Sequence, residues 1–163
     1  MSIDFSYNRT LYSPQLKDWA ELMVRLLPPS VSILVSSSSS SCALASAMMV
    51  LAAQQGRRLE NIYVRKRRES EHGGNSCDLW WLDTCENRVA AFVDDFICAG
   101  DTFRRAVNEV GESVDLRYVM TVTGPMDPQD STKLEMLSEI AGKPIHWIIA
   151  YNEQNPRDGE SHG

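Results

Sequence analysis

The chain has 163 residues, 43% hydrophobic and 23% charged, which supplies apolar material for one domain with a real core but too little chain for two independent ones. That balance excludes a disordered, collagen-like or disulfide-scaffold protein. Twenty-two acidic residues against sixteen basic ones leave a net charge of −6, which opposes a polyanionic partner except at a local basic patch.

In chain order, Leu16, Trp19, Ala20, Met23 and Leu27 follow helical spacing and predict a helix over 13–27, with Ser13 as its cap, Pro14 in its first turn and Pro28 and Pro29 as its stop. The run at 32–35 predicts a buried strand. Six serines, 36–41, separate it from 42–53, which is apolar on nearly every face and predicts a buried helix. A second strand is expected at 61–64, then a long polar loop over 65–76, and a short hairpin arm at 78–83. The near-continuous apolar run at 88–93 has the character of a central strand covered on both faces. Phe103, Ala106, Val107 and Val110 repeat at helical spacing, with Gly111 where a left-handed helix terminator belongs. A strand follows at 116–122, then a helix opened by Thr132 and Glu135 in capping-box spacing, with Leu134, Leu137, Ile140 and Ala141 as its inner face. A last strand spans 145–150, with His146 in or beside it, and a polar tail containing His162 follows.

Strand and helix thus alternate, and the expected fold is a single α/β domain with a parallel, Rossmann-like sheet flanked by helices on both faces. Its core runs over about 31–150. Cys42, Cys77, Cys85 and Cys98 form no CxxC pair or zinc-knuckle spacing and read as free thiols. With neither a leader nor a long apolar span in view, the expected location is the cytoplasm, away from membrane.

The chemistry concentrates in 90–102, AAFVDDFICAGDT: an apolar strand ends in two carboxylates, and a short turn then opens a helix. Amides of Ala99, Gly100, Asp101 and Thr102 at a helix N-terminus suit a phosphate, and Asp94 and Asp95 suit the hydroxyls of a vicinal diol. Neither GK[ST] nor GxGxxG is present, so nucleoside-triphosphatase and dinucleotide readings lack their anchors. The alternative is the solvated rim of an ordinary sheet.

This string resembles the phosphoribosyl-diphosphate (PRPP) signature of type I phosphoribosyltransferases. The resemblance implies that Asp94 and Asp95 hold the ribose hydroxyls and, through PRPP or water, serve Mg2+, while Cys98, Ala99, Gly100, Asp101 and Thr102 form the 5'-phosphate turn. Cys98 stands where a threonine is common, and Asp101 adds a negative side chain. YVRKRRESEHGG, 63–74, resembles the flexible loop of orotate and related phosphoribosyltransferases, which implies that Arg65, Lys66, Arg67, Arg68 and His72 face the leaving pyrophosphate. Glu69 or Ser70 occupies the usual catalytic lysine position. The serine tract takes the place of the family's pyrophosphate loop, implying substrate contacts from Ser36, Ser37 and Ser38, although a low-complexity connector has the same composition.

Implied partners are PRPP and a nitrogenous base, with a homodimer as the assembly and a small variable hood built from 1–12 or from the tail after 150. Trp147 and Tyr151 are candidates to stack on a base or simply to pack, as are Trp80 and Trp81. Two rival readings stay open: a noncatalytic PRPP- or nucleotide-binding regulator, and a nucleic-acid-binding regulator using the six basic residues between Arg57 and Arg68. Overall acidity argues against the second of these.

Overall fold

The computed structural model describes residues 13–65, 88–124 and 131–151. Among them, in chain order, are α1 (Ser13–Leu26), β1 (Ile33–Ser36), α2 (Ser39–Gln54), β2 (Glu60–Tyr63), β3 (Val89–Asp94), α3 (Asp101–Val110), β4 (Asp115–Thr121), α4 (Thr132–Ala141) and β5 (His146–Ile149). The expected hairpin arm, the hood segment 1–12, the tail after 151, and Lys66, Arg67, Arg68, His72, Cys77, Trp80, Trp81, Cys85 and His162 lie outside the described residues.

The strands form one parallel sheet in the order β2-β1-β3-β4-β5. Alternation along each strand sorts side chains to two faces. Leu34, Ala91, Val93 and Met120 join α1 and α2 residues such as Trp19, Met23, Leu44 and Met48. Ile33, Val35, Ala90, Phe92 and Val119 join Phe103, Ala106 and Val110 of α3 and Leu137 of α4. The register shift between Ala90 and Ala91 lets β4 send both Leu116 and Val119 to the α3/α4 face. A T-shaped contact between Phe92 and Phe103, centroids 5.3 Å apart, seats α3 on the central strand.

Sheet order reverses between β1 and β3. β1 continues through α2 to β2 on one side, β3 through α3 to β4 on the other, and the two helices cover opposite faces. Such a switch point leaves a crevice outside the carboxyl ends of the two strands, where parallel α/β sheets bind ligands.

Four expectations need correction. The serine tract is not a connector: Ser36 ends β1, and Ser39 through Ser41 already belong to α2, three residues ahead of the predicted start. Gly111 is right-handed at φ −62°, because the chain leaves α3 through further turn bonds, Gly111 to Val107 and Val114 to Val110; a Cβ there would collide with the Val107 carbonyl. Thr132 lies inside α4, whose cap position is Ser131 with no side-chain bond to the helix start. Leu134 is exposed, and Met136 packs inward beside Leu137, Ile140 and Ala141 instead. His146 lies on edge strand β5 with an exposed side chain, its ring 5.4 Å from that of Tyr118.

Candidate active site

β1 and β3 deliver their ends side by side at the switch point. Ser38 caps α2 in a reciprocal box: its hydroxyl accepts from the Ser41 amide at 3.0 Å, and its own amide donates to Ser41 Oγ at 2.8 Å. Ser41 Oγ also accepts from the Ser37 amide at 3.0 Å, so one fully buried hydroxyl organises the loop. Ser36 and Ser37 hydroxyls, both fully buried, donate to Asn61 Oδ1 at 3.1 Å and the Val64 carbonyl at 2.8 Å, binding the loop to β2. Ser38 Oγ alone of the three predicted serines reaches the acidic pair, 3.2 Å from Asp94 Oδ1.

Asp94 ends β3 and Asp95 follows it; both are buried. Asp94 Oδ1 accepts from the Asp95 amide at 3.0 Å, and Asp95 Oδ1 from the Phe96 amide at 3.2 Å. The Thr123 amide bonds the Asp95 carbonyl at 3.1 Å, pinning this peptide to the end of β4. Burial, followed by the hydrogen bonding and charge of Asp95, pushes the Asp94 carboxyl from 3.8 up to about 8, against the smaller opposing pull of the Asp95 amide and Ser38. A sheet rim in free solvent does not do this.

Beyond the pair, Cys98 and Ala99 are exposed, Gly100 is buried and left-handed at φ 78°, Asp101 is exposed and Thr102 is half-buried. Gly100 caps α3 with no side-chain bond, so among the described residues the first amides of the helix face an anion site without a capping side chain. A Cβ on Gly100 would lie 2.9 Å from Ile140 Cδ1 and 3.1 Å from Met136 Cε, so α4 packs directly behind the turn. From the same helix, Lys133 Nζ donates to the Ile97 carbonyl at 3.1 Å, placing a cation at the turn.

Lys133 and Arg105 were not visible as site residues in the sequence. Arg105 sits in α3 and its Nη1 lies 3.4 Å from Ser37 Oγ, 68 positions away, a proximity only the fold creates. The predicted basic patch is dispersed where it is described: Arg57 Nη1 and Nη2 donate to the Leu27, Pro28 and Val31 carbonyls, and Arg58 pairs with Glu60 at 2.9 Å. Arg65 follows β2 and is half-buried. Cys42 and Cys98 are free thiols, and no helix among the described residues is long and apolar enough to cross a membrane.

A parallel sheet with this strand order, an acidic pair on its central strand and an open helix start beside it has the fold of the type I phosphoribosyltransferases. Solved structures place it there independently. Orotate phosphoribosyltransferase of Francisella tularensis matches with a TM-score of 0.67 at 16% identity, covering 94% of this chain and 78% of that one. A phosphoribosyltransferase from Corynebacterium diphtheriae matches at 0.63 and 18%, covering 86% and 81%. Adenine phosphoribosyltransferase of Trypanosoma brucei, in complex with AMP, pyrophosphate and ribose 5-phosphate, matches at 0.54 and 13%, covering 96% and 74%. No family model and no curated protein matches the chain. At these identities the likeness is one of fold, and it bears out the α/β architecture expected above.

Proposed function

We propose that the chain is a PRPP-dependent phosphoribosyltransferase, moving ribose 5-phosphate to a ring nitrogen of a base with release of pyrophosphate. The observation that carries the reading is the buried Asp94–Asp95 pair at the switch point, just ahead of the start of α3, whose cap Gly100 makes no side-chain bond. Two carboxyl groups, each accepting from the amide of the residue that follows it, can also accept from a vicinal diol, and the amides from Ala99 to Thr102 take the 5'-phosphate. In this reaction the anomeric carbon loses pyrophosphate as the base nitrogen bonds to it, so no protein nucleophile is required. Positioning and charge stabilisation carry the rate.

Mg2+ fits this donor set, since paired carboxylates are hard oxygen ligands of the kind it takes. With Asp94 Oδ1 already accepting from Ser38 and the Asp95 amide, Asp94 and Asp95 would hold the ion through water and ribose oxygens. When bound, the ion neutralises diphosphate charge. Arg65, Lys66, Arg68 and His72 are assigned to the leaving group in the same reading, and a second copy of the chain to the assembly.

A second reading, a PRPP-binding regulator without turnover, is favoured by one observation: Ser41 Oγ occupies the Ser37 and Ser38 amides, which therefore have to be released before they can serve a diphosphate. Titration of PRPP with and without Mg2+, followed by pyrophosphate release across purines, pyrimidines and orotate, separates the two. Turnover with one acceptor supports the enzyme; saturable binding without release supports the regulator. In either case Asp94→Asn with Asp95→Asn is expected to abolish PRPP binding in a folded protein, and retained affinity sinks the assignment.

A further inference from the structure

We propose that Arg105 is a further cation for the diphosphate end of the substrate, placed at the β1–α2 loop, an inference resting on the phosphoribosyltransferase reading and extending it to a residue outside both motifs. Arg105 is half-buried on the second turn of α3, its Nη1 at 3.4 Å from Ser37 Oγ, a long hydrogen bond. Ser37 Oγ gives its own proton to the Val64 carbonyl at 2.8 Å, so it faces the guanidinium as an acceptor. This fixes the head of Arg105 over the loop that joins β1 to α2, where Ser38 reaches Asp94.

The guanidinium has five N–H donors in a planar fork, and the contact to Ser37 is the one bond it makes among the described residues. No carboxylate among them lies within ion-pair distance of it. Such a fork matches the paired oxygens of a phosphoryl group. Position decides which end of the ligand it meets. A sugar with its diol on Asp94 and Asp95 and one phosphate at the start of α3 turns its opposite end toward the β1–α2 loop. That loop is built of serines and has no charge of its own, and Arg105 brings it a cation from α3, in addition to the basic residues assigned to the leaving group after β2. The site is therefore made for a sugar that is anionic at both ends.

Calorimetric titration of the wild type, Arg105→Gln, Arg105→Lys and the exposed neighbour control Arg104→Gln tests this, with inorganic pyrophosphate plus Mg2+ and ribose 5-phosphate as separate probes. Arg105→Gln is expected to weaken pyrophosphate about tenfold or more, the scale of a charge-assisted bond, with ribose 5-phosphate affinity and the Arg104→Gln variant unchanged. Arg105→Lys, which keeps the charge and is the variant to read should Arg105→Gln fail to fold, is expected to retain more pyrophosphate affinity than Gln but less than wild type. Wild-type pyrophosphate affinity in both Arg105 variants overturns the inference alone, and so does an equal loss toward both probes, the mark of a structural role. A wild type that binds neither probe overturns the underlying functional reading and this inference with it.

Discussion

Asp94 is the residue on which binding and stability pull in opposite directions. Its carboxyl, raised by burial and by Asp95 to about 8, holds a proton in the folded state that the unfolded chain has already released above about pH 4. The folded form thus binds more protons across that window, so the contribution of this group is complete below pH 4 and is lost as pH rises through about 8. In chelator, the wild-type melting temperature should fall more steeply from pH 5 to 9 than that of Asp94→Asn, with the variant about 2 kcal/mol more stable at the alkaline end. Equal slopes would show that Asp94 is not the titrating group. Ser41 acts in the other direction. Ser41→Ala leaves the Ser37 and Ser38 amides without their acceptor and is expected to cost about 2–3 kcal/mol in denaturant unfolding. The acidic pair was legible in the sequence because its two members are adjacent and end an apolar run. Arg105 was not, since an Arg104–Arg105 pair on an amphipathic helix carries no mark of which member turns toward a loop 68 positions earlier.

At the scale of elements, the phosphate turn is a product of α4 as much as of its own residues. Gly100 is held at φ 78° with Met136 and Ile140 against it, and Lys133 bonds the Ile97 carbonyl. Gly100→Ala meets two penalties at once, a left-handed backbone without glycine and a Cβ inside its contact distance to Ile140, and is expected to lose about 1–3 kcal/mol of stability. It should also lose ribose 5-phosphate affinity, because the turn must open to admit the methyl group; a stable variant with native affinity would detach the turn from the phosphate. Helix and strand identities were legible throughout the described residues, since period 3.6 and unbroken apolar runs announce them. Their ends were less so. α2 starts at Ser39 because Ser38 and Ser41 satisfy each other's backbone groups, and a run of identical serines gives no sign of which one caps. α4 inverts the lesson: Thr132 and Glu135 have capping-box spacing, yet Ser131 takes the cap position and makes no such bond. Spacing permits the box and does not require it.

Across the whole molecule, a ligand crevice at β1 and β3 follows from strand order, and strand order is the property that local sequence specifies least. Alternating elements predicted a parallel sheet; the reversal that sets the serine loop beside the acidic pair arises from which strands meet in the middle. At the opposite end of β1, a different long-range contact closes the fold. Arg57, just beyond α2, sends its guanidinium back to the Leu27, Pro28 and Val31 carbonyls, locking the chain between α1 and β1. Read in the sequence, Arg57 begins a basic run suited to nucleic acid; in the fold it answers the Leu27 and Val31 carbonyls of the connection between α1 and β1 and adds a second donor to Pro28, whose carbonyl also accepts from the Val31 amide. The two roles predict different losses. Arg57→Met keeps much of the apolar stem but removes the donors, and is expected to lower stability by about 2–3 kcal/mol, because carbonyls shielded in this connection lose charged partners. Ribose 5-phosphate and pyrophosphate affinities should be unchanged in the same variant, since the latch and the crevice lie at opposite ends of β1. A variant that melts like wild type but loses affinity for single-stranded RNA would return Arg57 to the nucleic-acid reading.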